Sequence, residues 1–218
     1  MDSPRHPQAI YLAIVALVLS GICFLLFPVV RPFFDEATLS GAHGFASVNW
    51  IIAHVLGIAA LILIALGFLG LYMLFQDPEE RGKAFAALIL CWVGAGLTLP
   101  FLGAETFGLN VIGNAAIEMN NPALIPLVHL VRYGPGIAFI ALGVILVDIA
   151  AIILAVAIWR SRMMLRWSGI PLAVGLLLFL PLLQGNPMYQ TPRIADGALI
   201  LIGCALIAWA AWRRAGPN

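Results

Sequence analysis

Charge is what this sequence most lacks. Of its 218 residues 63% are hydrophobic and only 10% are charged, where a soluble domain carries about 25%. At a mean hydropathy of +1.05, too few polar groups remain to clothe a surface in water, and the solvent that tolerates such a chain is lipid. A net charge of +1 supplies no basic field, which excludes nucleic acid as a partner. Cysteine is scarce as well. Cys23, Cys91 and Cys204 stand isolated in apolar runs, which excludes a disulfide framework or a Cys-x-x-Cys centre and leaves them as small packing residues. Polar alternation is missing, and the runs far exceed the roughly 9–11 residues of a membrane strand, so a barrel is excluded. No N-x-S/T site, glycine-rich phosphate loop, nucleophile elbow, HExxH pair or heptad pattern occurs.

Long apolar runs are what is present. A bilayer core takes roughly 20 residues as a helix, and six segments qualify: about 8–30, 50–75, 84–106, 135–159, 167–185 and 194–212. The sequence therefore predicts an all-α, polytopic integral membrane protein of the cell membrane, a single transmembrane domain over 1–218. The first run is too long for a signal-peptide core and no A-x-A site follows it, so it reads as a true span. With six spans, Arg5, Arg81, Lys83, Arg160, Arg162, Arg166, Arg213 and Arg214 fall on one side, and only Arg31, Arg132 and Arg193 on the other. Positive charge collects in the cytoplasm, so both termini are expected there. Trp159, Trp167 and Trp212 read as anchors at the inner interface and Trp50 at the outer one.

The two faces differ. The inner loops are short, whereas the outer connections are long and rich in Pro, Gly, Asn and His, where ligand chemistry tends to collect. Each outward-running helix carries a proline near its outer end: Pro28, Pro100 and Pro181. His54 lies ten residues and His129 eleven residues before a matching IALG segment. These echoes predict three parallel helical hairpins, with the two histidines at matched depth. Gly134-Pro135-Gly136 predicts a short outer helix at about 123–133 that kinks into the fourth span, as broken helices do when they line a cavity.

The remaining polar residues are the candidates. Glu105 follows LPFLGA; it either snorkels to water and pairs with Arg31, Arg132 or Arg193, or serves as a pocket acid. Asp148 falls near mid-bilayer, where an ionised Asp costs roughly 2.5–3.5 kcal/mol. It must face the bundle, either bonded to a carbonyl or a group such as Ser20, or acting as a proton relay or ligand contact. His54 and His129 are interfacial histidines or a facing pair able to hold a b-type haem as cofactor. A zinc or copper site would have to be assembled across helices, since no local metal spacing exists. Arg132 follows His129 by three residues and shares its face. Asp196 reads as a partner for a helix N-terminus, and His43, Asp35 and Glu36 as solvated loop residues.

Glu105 is expected to turn inward into a polar cluster with His54, His129 or Arg132. The functional reading is a bundle with an outward-facing polar pocket, lined by Glu105, Arg132 and Asp148. It binds a lipophilic small molecule, or serves as an accessory subunit beside membrane-protein partners. The residues admit two alternatives: a haem electron-transfer protein ligated by His54 and His129, and an intramembrane isoprenoid or quinone enzyme using Glu105 and Asp148 as acids.

Overall fold

The computed structural model describes residues 7–162, 164–182 and 186–215. Helix accounts for 86% of them and no strand occurs among them. Arg5, the side chain of Arg214 and the end of the expected 167–185 run lie outside the described residues. The helices are α1 (Pro7–Val30), α2 (Ala42–Ala46), α3 (Val48–Leu74), α4 (Pro78–Gly103), α5 (Leu109–Glu118), α6 (Pro126–Tyr133), α7 (Gly136–Ser161), α8 (Ile170–Phe179) and α9 (Gln190–Ala215).

Local chemistry sets where the helices start. Ser47 caps α3, its hydroxyl accepting from the Trp50 amide at 3.2 Å. Asp77 caps α4, accepting from the amides of Glu79 and Glu80 at 3.0 Å. Pro78 occupies the first position, where a missing N–H costs nothing, and the two glutamates complement the positive helix end.

Five helical runs are long and apolar enough to cross a membrane: Gln8–Val30, Val48–Leu74, Pro78–Glu118, Gly136–Ser161 and Pro187–Arg213. The remaining apolar helix, Arg166–Phe179, is shorter. One sequence expectation needs correcting here. The third span does not end at 106, because α4 passes directly into a π-helical turn at Ala104–Gly108 and on into α5. Pro100 is absorbed inside α4, where it removes one backbone N–H donor. The short outer helix, by contrast, forms as α6, and Gly134-Pro135 separates it from α7.

The packing follows chain order. α1 lies against α3 and α9, α4 against α7, and α8 against α9, with α3 joining α4. α4 and α7 approach closely, and a β-carbon on Gly94 would stand 2.5 Å from the Gly143 carbonyl. At one end of the bundle Glu79 and Glu80 of α4 meet Arg160 of α7 at 3.3 and 3.5 Å. The chain turns into α8 at this same end, with Trp167 edge-on to Trp159 at 4.1 Å. At the opposite end the C-terminal ends of α1 and α4 and the N-terminal ends of α3, α7 and α9 come together around one cavity, with Leu180 just after α8.

The outward faces explain why these helices are apolar all round. Val15, Leu19, Ile22, Leu26 and Val29 project from α1, and Leu142, Ile145, Ile149, Ile152 and Val156 from α7, all exposed. Such faces are compatible with membrane insertion and costly in water.

Candidate functional site

The cavity has a volume of about 610 Å³, and its geometry begins with the π turn. Adding a residue to one helical turn widens it and shifts the carbonyls out of register. Here the Glu105 carbonyl accepts from Trp50 Nε1 at 2.8 Å, and the Thr106 hydroxyl donates to the Leu102 carbonyl at 2.6 Å. Trp50 is wholly buried, wedged against Phe45 at 4.9 Å and His54 at 4.1 Å between ring centres. It is therefore a buried strut between α3 and the π turn, and the expectation of an interfacial anchor is overturned. A donor as strong as indole N–H goes to the nearest orphan acceptor, which the widened turn supplies.

Held this way, the Glu105 side chain faces the bundle interior. Arg132 of α6 grips it with both arms of its guanidinium: Nε donates at 2.6 Å and Nη2 at 3.1 Å. His54 of α3 places Nε2 3.6 Å from Glu105, while its Nδ1 bonds the Trp50 carbonyl at 2.8 Å. Arg132 also reaches Glu36, and Glu36 in turn accepts from Arg31 at 3.0 Å. Burial opposes the charge of Arg132, but the carboxylates of Glu105 and Glu36 outweigh it and hold the guanidinium above its ordinary range. For Arg31 burial is the stronger influence, pulling it below the usual value against the attraction of Glu36. The result is a continuous chain of ion pairs from Arg31 through Glu36 and Arg132 to Glu105, with His54 of α3 beside its end.

The rest of the wall is apolar, built from Phe27, Phe101, Ile137, Ile140, Ala141 and Leu180. Arg193, in the first turn of α9, completes it. Its guanidinium lies over the rings of Phe27 and Phe179, at 4.8 and 5.8 Å.

Of the residues singled out from the sequence, Glu105, Arg132 and His54 are brought together. His129 and Asp148 are not. His129 is exposed on α6, stacked on Tyr133 at 4.5 Å. An eight-residue helix ended by Gly134 turns its Arg132 inward and its His129 outward, so the shared face predicted for them separates. The buried His54 and the exposed His129 therefore do not form the facing pair that a haem requires. No group of three His, Cys, Asp or Glu suited to a metal occurs among the described residues. Asp148 is buried on α7, seven residues and so about 10 Å beyond Ala141 along the helix. It lies outside the cavity lining, its Oδ1 has no partner among the described residues, and Ser20 bonds the Ala60 carbonyl instead. The two acids of the enzyme reading are thus not in one site.

Four further residues correct the sequence reading. Glu36 is not merely solvated, since it joins Arg31 to Arg132. Asp196 lies a turn inside α9 and is buried, so it does not cap that helix. Arg31 and Arg193, read from sequence for orientation and as possible partners of Glu105, are both cavity residues. A signal for them existed: the three basic residues assigned to the charge-poor side are Arg31, Arg132 and Arg193, and all three line the cavity. Comparison of the chain with known protein families, with curated proteins and with solved structures finds no match.

Proposed function

We propose that the protein is a membrane protein of six spans, with both termini in the cytoplasm, whose outward-opening cavity binds a lipophilic small molecule. The cavity carries this reading: about 610 Å³ lies within the roughly 300–1,000 Å³ range of ligand sites, and apolar walls around a few convergent polar groups are the usual composition. The sixth span is Arg166–Phe179 with the residues that follow it. This helix leaves the Trp159 end of α7, and Leu180 arrives at the cavity beside Ile137 and Ile140, which is the route of a traverse. The pairings of α1 with α3, α4 with α7 and α8 with α9 support three consecutive hairpins. Arg81, Lys83, Arg160, Arg162, Arg166 and Arg213 lie at the end away from the cavity, which supports a cytoplasmic assignment for that end.

The test is a blocked cavity. Ala141→Trp fills the space between α7 and its neighbours from a half-buried wall position. Protein purified in mild detergent is extracted and its small molecules identified by mass spectrometry. The wild type should carry a lipophilic species above the detergent-blank level, and Ala141→Trp should lose it while eluting as the same folded particle. Identical extracts from the two would overturn the proposal.

A further inference from the structure

We infer that the cavity's ligand is a single-chain amphiphile with an oxyanion head, a carboxylate or a phosphate monoester, and that Arg193 together with Arg31 receives that head. This rests on the reading of the cavity as a lipophilic-ligand site and gives its occupant a chemistry. The argument is one of charge. Three guanidiniums line the cavity, and Arg193 and Arg31 are buried at 5% and 4% exposure. The carboxylates within reach are committed. Glu105 is held by Arg132 and His54, and Glu36 is shared between Arg31 and Arg132. Asp35 is exposed and accepts from the nearby Ala37 amide at 3.1 Å. Asp196, three residues along α9 from Arg193, is a third acid near these cations, but it lies outside the main cavity lining.

What is wanting is an acceptor at particular atoms. Arg193 Nη2 and Arg31 Nη1 are both buried, with no hydrogen-bond partner among the described residues. Leaving ionic donors dry and unpaired is among the costlier things a fold does, so two such donors on one cavity wall mark a place for an acceptor. Phe27 and Phe179 lie under the guanidinium of Arg193, and Phe33 and Trp50 flank that of Arg31 at 4.7 and 4.9 Å. Aromatic faces cover the flat sides of a guanidinium and leave its N–H edges free, the geometry that matches an oxyanion. The first turn of α9 adds its positive end to the same field. Asp196 borders a separate gap of about 10 Å³ behind Arg193 and is absent from the main lining. Opposite the head site, Phe101, Ile140, Ala141 and Leu180 offer an apolar channel for one chain. A cavity of this volume suits one such chain rather than a two-chain phospholipid.

The test measures binding of radiolabelled palmitate, hexadecanol and inorganic phosphate to the delipidated full-length protein in detergent. Wild type should bind palmitate at least tenfold tighter than hexadecanol. Arg193→Gln should remove that preference while keeping hexadecanol binding. Arg193→Lys, which keeps the charge without the fork, should retain part of the preference, and it decides the matter if the Gln variant does not fold. Equal wild-type binding of palmitate and hexadecanol overturns the anionic head and leaves the lipophilic site standing. Binding of neither overturns both. Phosphate binding without palmitate binding overturns the amphiphile in favour of a free oxyanion.

Discussion

Glu105 and Arg193 stand on one cavity wall in opposite circumstances, and substitutions at the two should diverge. Glu105 is fully engaged by Arg132 and His54. Glu105→Gln keeps the shape and leaves the half-buried Arg132 with Glu36 as its remaining carboxylate, so the cost should fall below the roughly 3–5 kcal/mol of a buried pair that loses its whole partner. Thermal unfolding in detergent should show that loss, and Glu105→Gln with Arg132→Gln together should cost less than the sum of the two alone. Additive losses would mean that the pair is uncoupled. Trp50 offers a second residue-scale test. Trp50→Phe keeps the ring and removes the donor to the Glu105 carbonyl, leaving a buried acceptor orphaned at about 1–3 kcal/mol. An unchanged melting temperature would show that the π turn does not depend on it.

Among the elements, the long helices are legible from composition because a spanning segment must satisfy its backbone internally, which makes long apolar runs unambiguous. The Gly134-Pro135-Gly136 break is legible for a similarly local reason. The course of α4 is not, because Pro100, Gly103 and Gly108 read as helix breakers when the π turn carries the helix on to Glu118. Glu105, Arg132 and His54 stand out because polar groups in apolar surroundings are costly. Arg31, Arg193 and Glu36 do not, since charges at helix ends have water as an alternative and only tertiary packing removes it. The α4–α7 contact allows a paired test. Gly143→Ala would press on Gly94 and Thr98 and should cost about 1–3 kcal/mol, as overpacking does. Gly96→Ala on α4 meets nothing within 4 Å and should be neutral or stabilising by up to about 1 kcal/mol. Equal melting temperatures for the two would contradict the close approach.

For the whole molecule, the proposed six-span arrangement makes a definite statement about sides. Ser40, Arg162 and Arg213 are exposed at the two ends of the bundle, while the native cysteines are buried or half-buried. Ser40→Cys should react with a membrane-impermeant maleimide in intact cells, and Arg162→Cys and Arg213→Cys only after lysis. Labelling of Arg213→Cys in intact cells would mean that α8 does not cross. The claim on which the account most depends is that the cavity between α1, α4, α7 and α9 is a ligand site and not a gap between helices. A structure determined with a terminally brominated long-chain carboxylate tests it most directly. The account predicts bromine density inside the cavity beside Ile140 and Leu180, with the carboxylate against Arg193. Bromine found only along the outward faces of α1 and α7, with the cavity empty, would contradict it.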